Sequence, residues 1–114
     1  MIISTENAEH YTWGDQCDGW HLLQSDTLSV IQERMPPGTS EHLHFHNNAQ
    51  QLFYILSGTA TFELDADKKT LNAGQSIHIG SSVKHRVTNS GKTDLHLLVV
   101  SEPKAHGDRV NVAE

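Results

Sequence analysis

The chain has 114 residues, of which 36% are hydrophobic and 19% charged, with a formal charge of −6. That is enough for one domain with a modest core, and it matches neither a disordered tail nor a membrane protein. The 8 Lys and Arg are scattered, only Lys68 and Lys69 being adjacent, so no basic patch is expected to neutralise phosphates, which weighs against nucleic acid as a partner.

The first stretch, MIISTENAEHYTWGD, has no basic region followed by a long apolar run, so no signal peptide is expected. No apolar run anywhere approaches the ~20 residues of a membrane-spanning helix. Cys17, the only cysteine, forms neither an internal disulfide nor a CxxC motif. A cytoplasmic location is the simplest reading. Residues 1–35 are expected to supply N-terminal strands. Tyr11, Trp13 and Trp20 flank the stretch GDQCDG, and packing on the body of the domain is favoured over a substrate platform. Cys17 reads as a small buried hydrophobe.

Short β-branched or alternating segments then recur, each ended by a turn signal. LSVIQERM (28–35) stops at Pro36-Pro37-Gly38, HLHFH (42–46) at Asn47-Asn48-Ala49, QLFYIL (51–56) at Ser57-Gly58, and TATFEL (59–64) at Asp65-Ala66-Asp67. KKTL leads to Asn72-Ala73-Gly74, QSIHI (75–79) to Gly80-Ser81-Ser82, HRVTN (85–89) to Ser90-Gly91, and DLHLLVV (94–100) ends before Pro103. Some eight short strands at near-regular spacing predict an all-β sandwich or barrel. The polar tail, 102–114, is expected to lie along the surface, and no linker or second domain is visible.

Nine histidines are the one unusual figure in the composition. His10, His21 and His106 sit among polar residues and are expected at the surface, while the facing of His78 and His96 is left open. Residues two apart on a strand share a face about 6.6 Å apart. His44 and His46 can therefore converge on one ion with bonds of about 2.1 Å. His42 shares their face but lies about 13 Å from His46, so it reads as a pocket-wall group and the candidate general acid or base. Gln51 opens the next strand, with Phe53 and Ile55 on its face. Phe53, Ile55 and Val87 are expected in the core and in the apolar wall of any pocket. Arg34 is placed either to hold a substrate carboxylate with two hydrogen bonds or to pair at the surface.

Two motifs carry a resemblance. The first runs Gly38, TSEHL, His44-Phe45-His46, NNAQ, Gln51, LFYILS, Gly58; the second runs Gly74, QSIHI, Gly80-Ser81-Ser82, VK, His85, RVT, Asn89. In order and in spacing they resemble the paired motifs of the cupins, with Gly80 and Ser82 in place of the usual Pro and Gly. The resemblance implies a single domain over 1–114 folded as a double-stranded β-helix, the cupin jelly-roll barrel. It also implies that His44, His46, Gln51 and His85 meet at one divalent transition metal, which could be Ni, Zn, Fe, Mn or Co. A glutamate is usual at position 51, and glutamine makes the ligand set neutral, leaving more charge on the ion for Lewis-acid work. The arrangement also resembles that of a small cupin of pectin breakdown, whose assisting Asp, Phe and Arg lie near its last strand. The corresponding LLVVSEPKAHGDR has no Asp-x-Phe, and Asp108-Arg109 fall later. The expectation is a homodimer that polarises an oxygen of a small molecule, in isomerase, lyase or dioxygenase chemistry. The alternative is a non-catalytic binding or sensing cupin.

Overall fold

The structure, a computed structural model, describes residues 1–105 and 107–113. His106, expected at the surface, and Glu114 lie outside the described residues. Eleven strands and no helix occur among the described residues. In chain order they are β1 (Glu9–Trp13), β2 (Cys17–Gln24), β3 (Ser29–Met35), β4 (His44–His46), β5 (Gln50–Ser57) and β6 (Thr59–Leu64), followed by β7 (Asp67–Asn72), β8 (Ser76–Ile79), β9 (His85–Asn89), β10 (Leu95–Glu102) and β11 (Arg109–Asn111).

Two antiparallel sheets face each other. One has the order β1-β2-β3-β10-β5-β8, the other β11-β4-β9-β6-β7. Such all-β packing buries alternate residues of each strand. β5 turns Gln51, Phe53 and Ile55 inward and exposes Leu52, Tyr54 and Leu56; β9 buries His85, Val87 and Asn89; β10 buries Leu95, Leu97, Val99 and Ser101. Phe53 from one sheet meets Phe62 from the other edge-to-face, with ring centroids 5.0 Å apart, a geometry that adds to simple burial. Met35, Ile55, Ile79, Leu97 and Val87 fill the rest of the core.

The strand expectation is met with two corrections, at the start of β4 and in the tail. HLHFH contributes only residues 44–46, with His42 and Leu43 left outside the strand. The stretch 1–35 resolves into β1, β2 and β3. The polar tail does more than lie on the surface: residues 109–111 pair antiparallel with β4, Arg109 opposite His46 and Asn111 opposite His44.

The motif residues have local reasons. Gly58 has φ +91°, and a Cβ there would come within 2.8 Å of the Asp94 carbonyl, so the turn between β5 and β6 needs glycine. Asn89 is buried; its amide donates to the Met35 carbonyl at 2.8 Å and the Thr93 carbonyl at 2.9 Å and accepts from Gly91 N at 3.0 Å. It thereby satisfies backbone groups that β9 alone cannot.

Candidate metal centre and cavity

Three imidazoles converge at one end of the core. β4 supplies His44 and His46, β9 supplies His85, and one nitrogen from each lies within 4.8 Å of the others. His44 and His85 are paired across the strands. All three are buried, at 3%, 6% and 1% exposure. The β4 end is pinned to the second motif, because Ser82 N donates to the His46 carbonyl at 2.6 Å.

Backbone carbonyls fix two of the rings. His44 Nδ1 lies 2.8 Å from the His42 carbonyl, and His85 Nδ1 lies 2.9 Å from the Val83 carbonyl. A carbonyl only accepts, so each Nδ1 carries the proton and each Nε2 presents a lone pair. Burial keeps the rings neutral. It is the largest cause that lowers His44 to about 3, with the charges of His85, Arg109 and His46 adding to it and the His42 carbonyl opposing. Burial and then His85 lower His46 to about 4, against the pull of Asp108. His85 is lowered by burial, then by Arg109, with the Val83 carbonyl opposing. Neutral imidazoles with free lone pairs are what a metal requires.

Gln51 completes the arrangement. From the facing sheet its Nε2 donates to Ser101 Oγ at 3.0 Å, which turns Oε1 toward His85 Nε2 at 3.1 Å. With the proton on Nδ1, His85 Nε2 turns a lone pair toward Gln51 Oε1, and a cation between the two would satisfy both; the donor set fits a divalent metal. His46 Nδ1 is buried without a partner among the described residues.

The centre opens into a cavity of about 1000 Å³. His44, His46, Gln51, Phe53, Ser101 and Val99 line its floor; Tyr11, Trp13, His21, Ile31, Glu33, Glu41 and Arg109 line its walls. Tyr11 reaches the wall by a device in the backbone. It pairs with Gly19 across β1 and β2, and Gly19 pairs with Glu33 across β2 and β3. A Cβ at Gly19 would stand 2.2 Å from Tyr11 Cζ, so only glycine lets that ring lie across β2 toward Glu33. Burial raises the Tyr11 hydroxyl above its ordinary range, and the Glu33 charge adds to the rise.

Several expectations are corrected here. His42 is exposed and lies off the strand, so its ring is no pocket-wall group; its carbonyl, not its imidazole, serves the centre by holding His44. Arg34 faces outward from β3, donating to Asp18 at 2.7 Å and Asp94 at 3.2 Å, because cavity-facing residues on β3 are the odd ones, Ser29, Ile31 and Glu33. Ile55 and Val87 have 0% exposure and belong to the core, away from the cavity lining; Phe53 does line it. His78 is exposed and bonds Gln50 at 2.9 Å. His96, next to core-facing Leu95 and Leu97, shares its outward face. His21, expected at the surface, lines the cavity with its Nδ1 buried and without a partner among the described residues.

The reading from the residues missed Glu33, Glu41 and Arg109. Glu33 carried an inward signal, since the alternation that buries Met35 places Glu33 on the same face of β3. Arg109 carried none, because the short β11 has no alternation to read.

The Cupin domain family model matches residues 31–101. The oxalate-binding protein of Thermotoga maritima is 34% identical over 85 residues, covering 70% of each chain. A predicted oxalate decarboxylase of Thermotoga maritima superposes with a TM-score of 0.83 at 23% identity, covering 91% of this chain and 100% of that one. KdgF from a Halomonas species superposes with a TM-score of 0.85 at 14% identity, covering 94% and 98%. These two show the fold. With the family match spanning more than half of the sequence and both motifs seated at a three-histidine centre, the chain belongs to the cupins.

Proposed function

We propose that this cupin binds one divalent transition metal through His44, His46, His85 and Gln51 and acts on a small anionic molecule held in the adjoining cavity. The observation that carries the reading is the convergence of three buried imidazole nitrogens within 4.8 Å of one another, with Gln51 Oε1 3.1 Å from His85 Nε2. When bound, the metal supplies Lewis acidity to an oxygen of the substrate, and a neutral ligand set suits that role better than oxidation chemistry. The chain's own residues do the rest. The carbonyls of His42 and Val83 hold two imidazoles in the ligating tautomer. Tyr11, Trp13 and Phe53 give the cavity an apolar wall that limits water. Arg109 enters from β11 and offers a guanidinium to a carboxylate. Isomerase or lyase chemistry on a small carboxylate follows best from this arrangement. Binding without turnover is the second reading, favoured by the relative named an oxalate-binding protein, 34% identical to this chain.

Metal analysis by mass spectrometry of untagged protein is the test. The wild type is expected to carry or take up about one equivalent of transition metal per chain, and His85→Ala to lose it. Equal metal content in both, or none in either after incubation with Zn, Ni, Fe, Mn and Co, rejects the centre.

A further inference from the structure

The cavity wall holds two carboxyls that the metal reading does not use. Glu33 rises from β3 and Glu41 from the segment leading into β4, and both face the space in front of the imidazoles. Glu41 Oε1 accepts one hydrogen bond, from Val87 N at 3.1 Å. Glu33 has no hydrogen bond or ion pair among the described residues. Their surroundings are poor in countercharge. Around Glu33 are Tyr11 from β1, the bare backbone of Gly19 and the Cys17 thiol on β2, the apolar Leu97 on β10, Glu41, and Arg109 from β11. Arg109 already directs Nε to Asn111 Oδ1 at 2.8 Å and one terminal nitrogen to the His42 carbonyl at 3.4 Å. Lys104, also on the wall, is held by Asp26 at 3.0 Å.

Two guanidiniums act on the pair, Arg109 on both carboxyls and Arg86 on Glu41 alone, and Arg86 is itself held by Glu63; they do not neutralise two desolvated carboxylates near each other, and such a pair holds a proton instead. We propose that Glu33 and Glu41 form a proton-holding pair that admits a small anion to the cavity, Glu33 giving its proton to an oxygen of that anion while Arg109 meets its charge. This builds on the metal reading, which supplies the remaining positive charge. The transfer balances: the Glu33 O–H bond breaks, its electron pair stays as carboxylate, and the proton bonds to a lone pair of the anion. Glu41, when protonated, restores Glu33 and is left ionised, ready to take a proton from substrate or water.

The direction of titration agrees. Burial, then the Glu41 charge, raise Glu33 to about 8, with Arg109 opposing. Burial raises Glu41 to about 7, opposed by Arg109, by the bond from Val87 and by Arg86. Both carboxyls are thus raised chiefly by burial, and the charge of the one that ionises first holds the proton on the other.

The test is an NMR titration of protein labelled with carbon-13 at glutamate Cδ, metal-free and with zinc, as wild type, Glu33→Gln and Glu41→Gln. Two signals, each missing from one variant, are expected to titrate near 7 and 8 in the metal-free protein and lower with zinc bound. Glu41→Gln lowers the midpoint of Glu33, because the neutral amide removes the neighbouring charge. Calorimetry of oxalate binding to the zinc-loaded protein, in buffers of different ionisation enthalpy, then counts protons. At a pH above the Glu33 midpoint found with zinc, wild type is expected to take up a proton on binding, and its oxalate affinity to fall about tenfold per pH unit there; Glu33→Gln loses both dependences. Midpoints in the ordinary carboxylate range, no oxalate binding, or binding without proton uptake would each overturn the proposal. Failure of zinc to bind while both carboxyls still titrate high sinks the metal reading instead, so the two failures are separable.

Discussion

Gln51 is the residue on which the chemistry of the centre turns. Its amide nitrogen is committed to Ser101, and its oxygen looks at His85 Nε2 across 3.1 Å. In Gln51→Glu that oxygen becomes a carboxylate, and the ligand set gains a negative charge at a fixed position. Zinc affinity, measured by competition with a chromophoric chelator, is expected to rise about tenfold or more, since an added anionic ligand strengthens a site for a divalent ion. Gln51→Leu removes the donor and is expected to weaken binding by a similar factor. If all three proteins bind zinc equally, Gln51 is no ligand and only three histidines hold the ion. His42 shows the opposite case at this scale. Its ring suggested proton transfer from the alternation His42, His44, His46, but the strand begins only at His44, so the alternation does not extend back to it. The proton carriers fall instead on Glu33 and Glu41, which sit in unremarkable stretches of sequence.

Among the elements, β11 and the loop between β4 and β5 depend on one side chain. The Asp108 carboxylate accepts from Asn48 N at 3.0 Å and Ala49 N at 2.9 Å, and its carbonyl accepts from Asn47 N at 3.3 Å. These backbone bonds, that from Ala49 first, hold its carboxyl below the usual range. The loop they fix carries the chain from His46 to Gln51, and the strand they precede brings in Arg109. Asp108→Ala is expected to speed amide hydrogen exchange at Ala49 by about tenfold or more and to weaken zinc binding by up to about tenfold, with stoichiometry unchanged. Exchange at Ala49 as slow as in the wild type would show that the loop is held by other contacts. Much of the framework was legible. TATFEL and HRVTN give β6 and β9 with the same bounds, because period-two burial shows directly in their residues. The three histidines were legible through local spacing. What was not legible depends on tertiary register. β11 is three exposed residues stabilised by the edge of β4, and Glu33, Glu41 and Arg109 meet only once three separate segments are folded together. Ser82 is a further case: it takes φ +68°, a left-handed turn where glycine is at ease, and nothing in the residue type announces it.

For the molecule as a whole, the cavity imposes opposing dependences of stability on pH. Glu33 and Glu41 lie at about 8 and about 7 in the fold, against 4.5 for the free side chain. Because folding raises them, they favour the folded state most fully below pH 4.5, and that contribution is lost as pH climbs toward 8. The histidines run the other way. His44 and His46 lie at about 3 and about 4, against 6.5 when free, so their contribution is present above pH 6.5 and is lost as pH falls toward 3. Between pH 4.5 and 6.5 the two slopes oppose each other. The metal-free protein, melted in the presence of a chelator, is therefore expected to show a broad maximum of Tm in that interval and to lose stability on both sides. The alkaline limb belongs to the carboxyl pair and the acid limb to the imidazoles, and single variants separate them. Glu33→Gln is expected to flatten the decline from pH 6.5 to about 8.5 and leave the acid limb unchanged. A wild-type Tm that is level or rising across that alkaline range would mean that the carboxyls are already ionised in the fold. The same decline in Glu33→Gln as in wild type would move its cause elsewhere in a chain of charge −6, to general repulsion among its acidic groups.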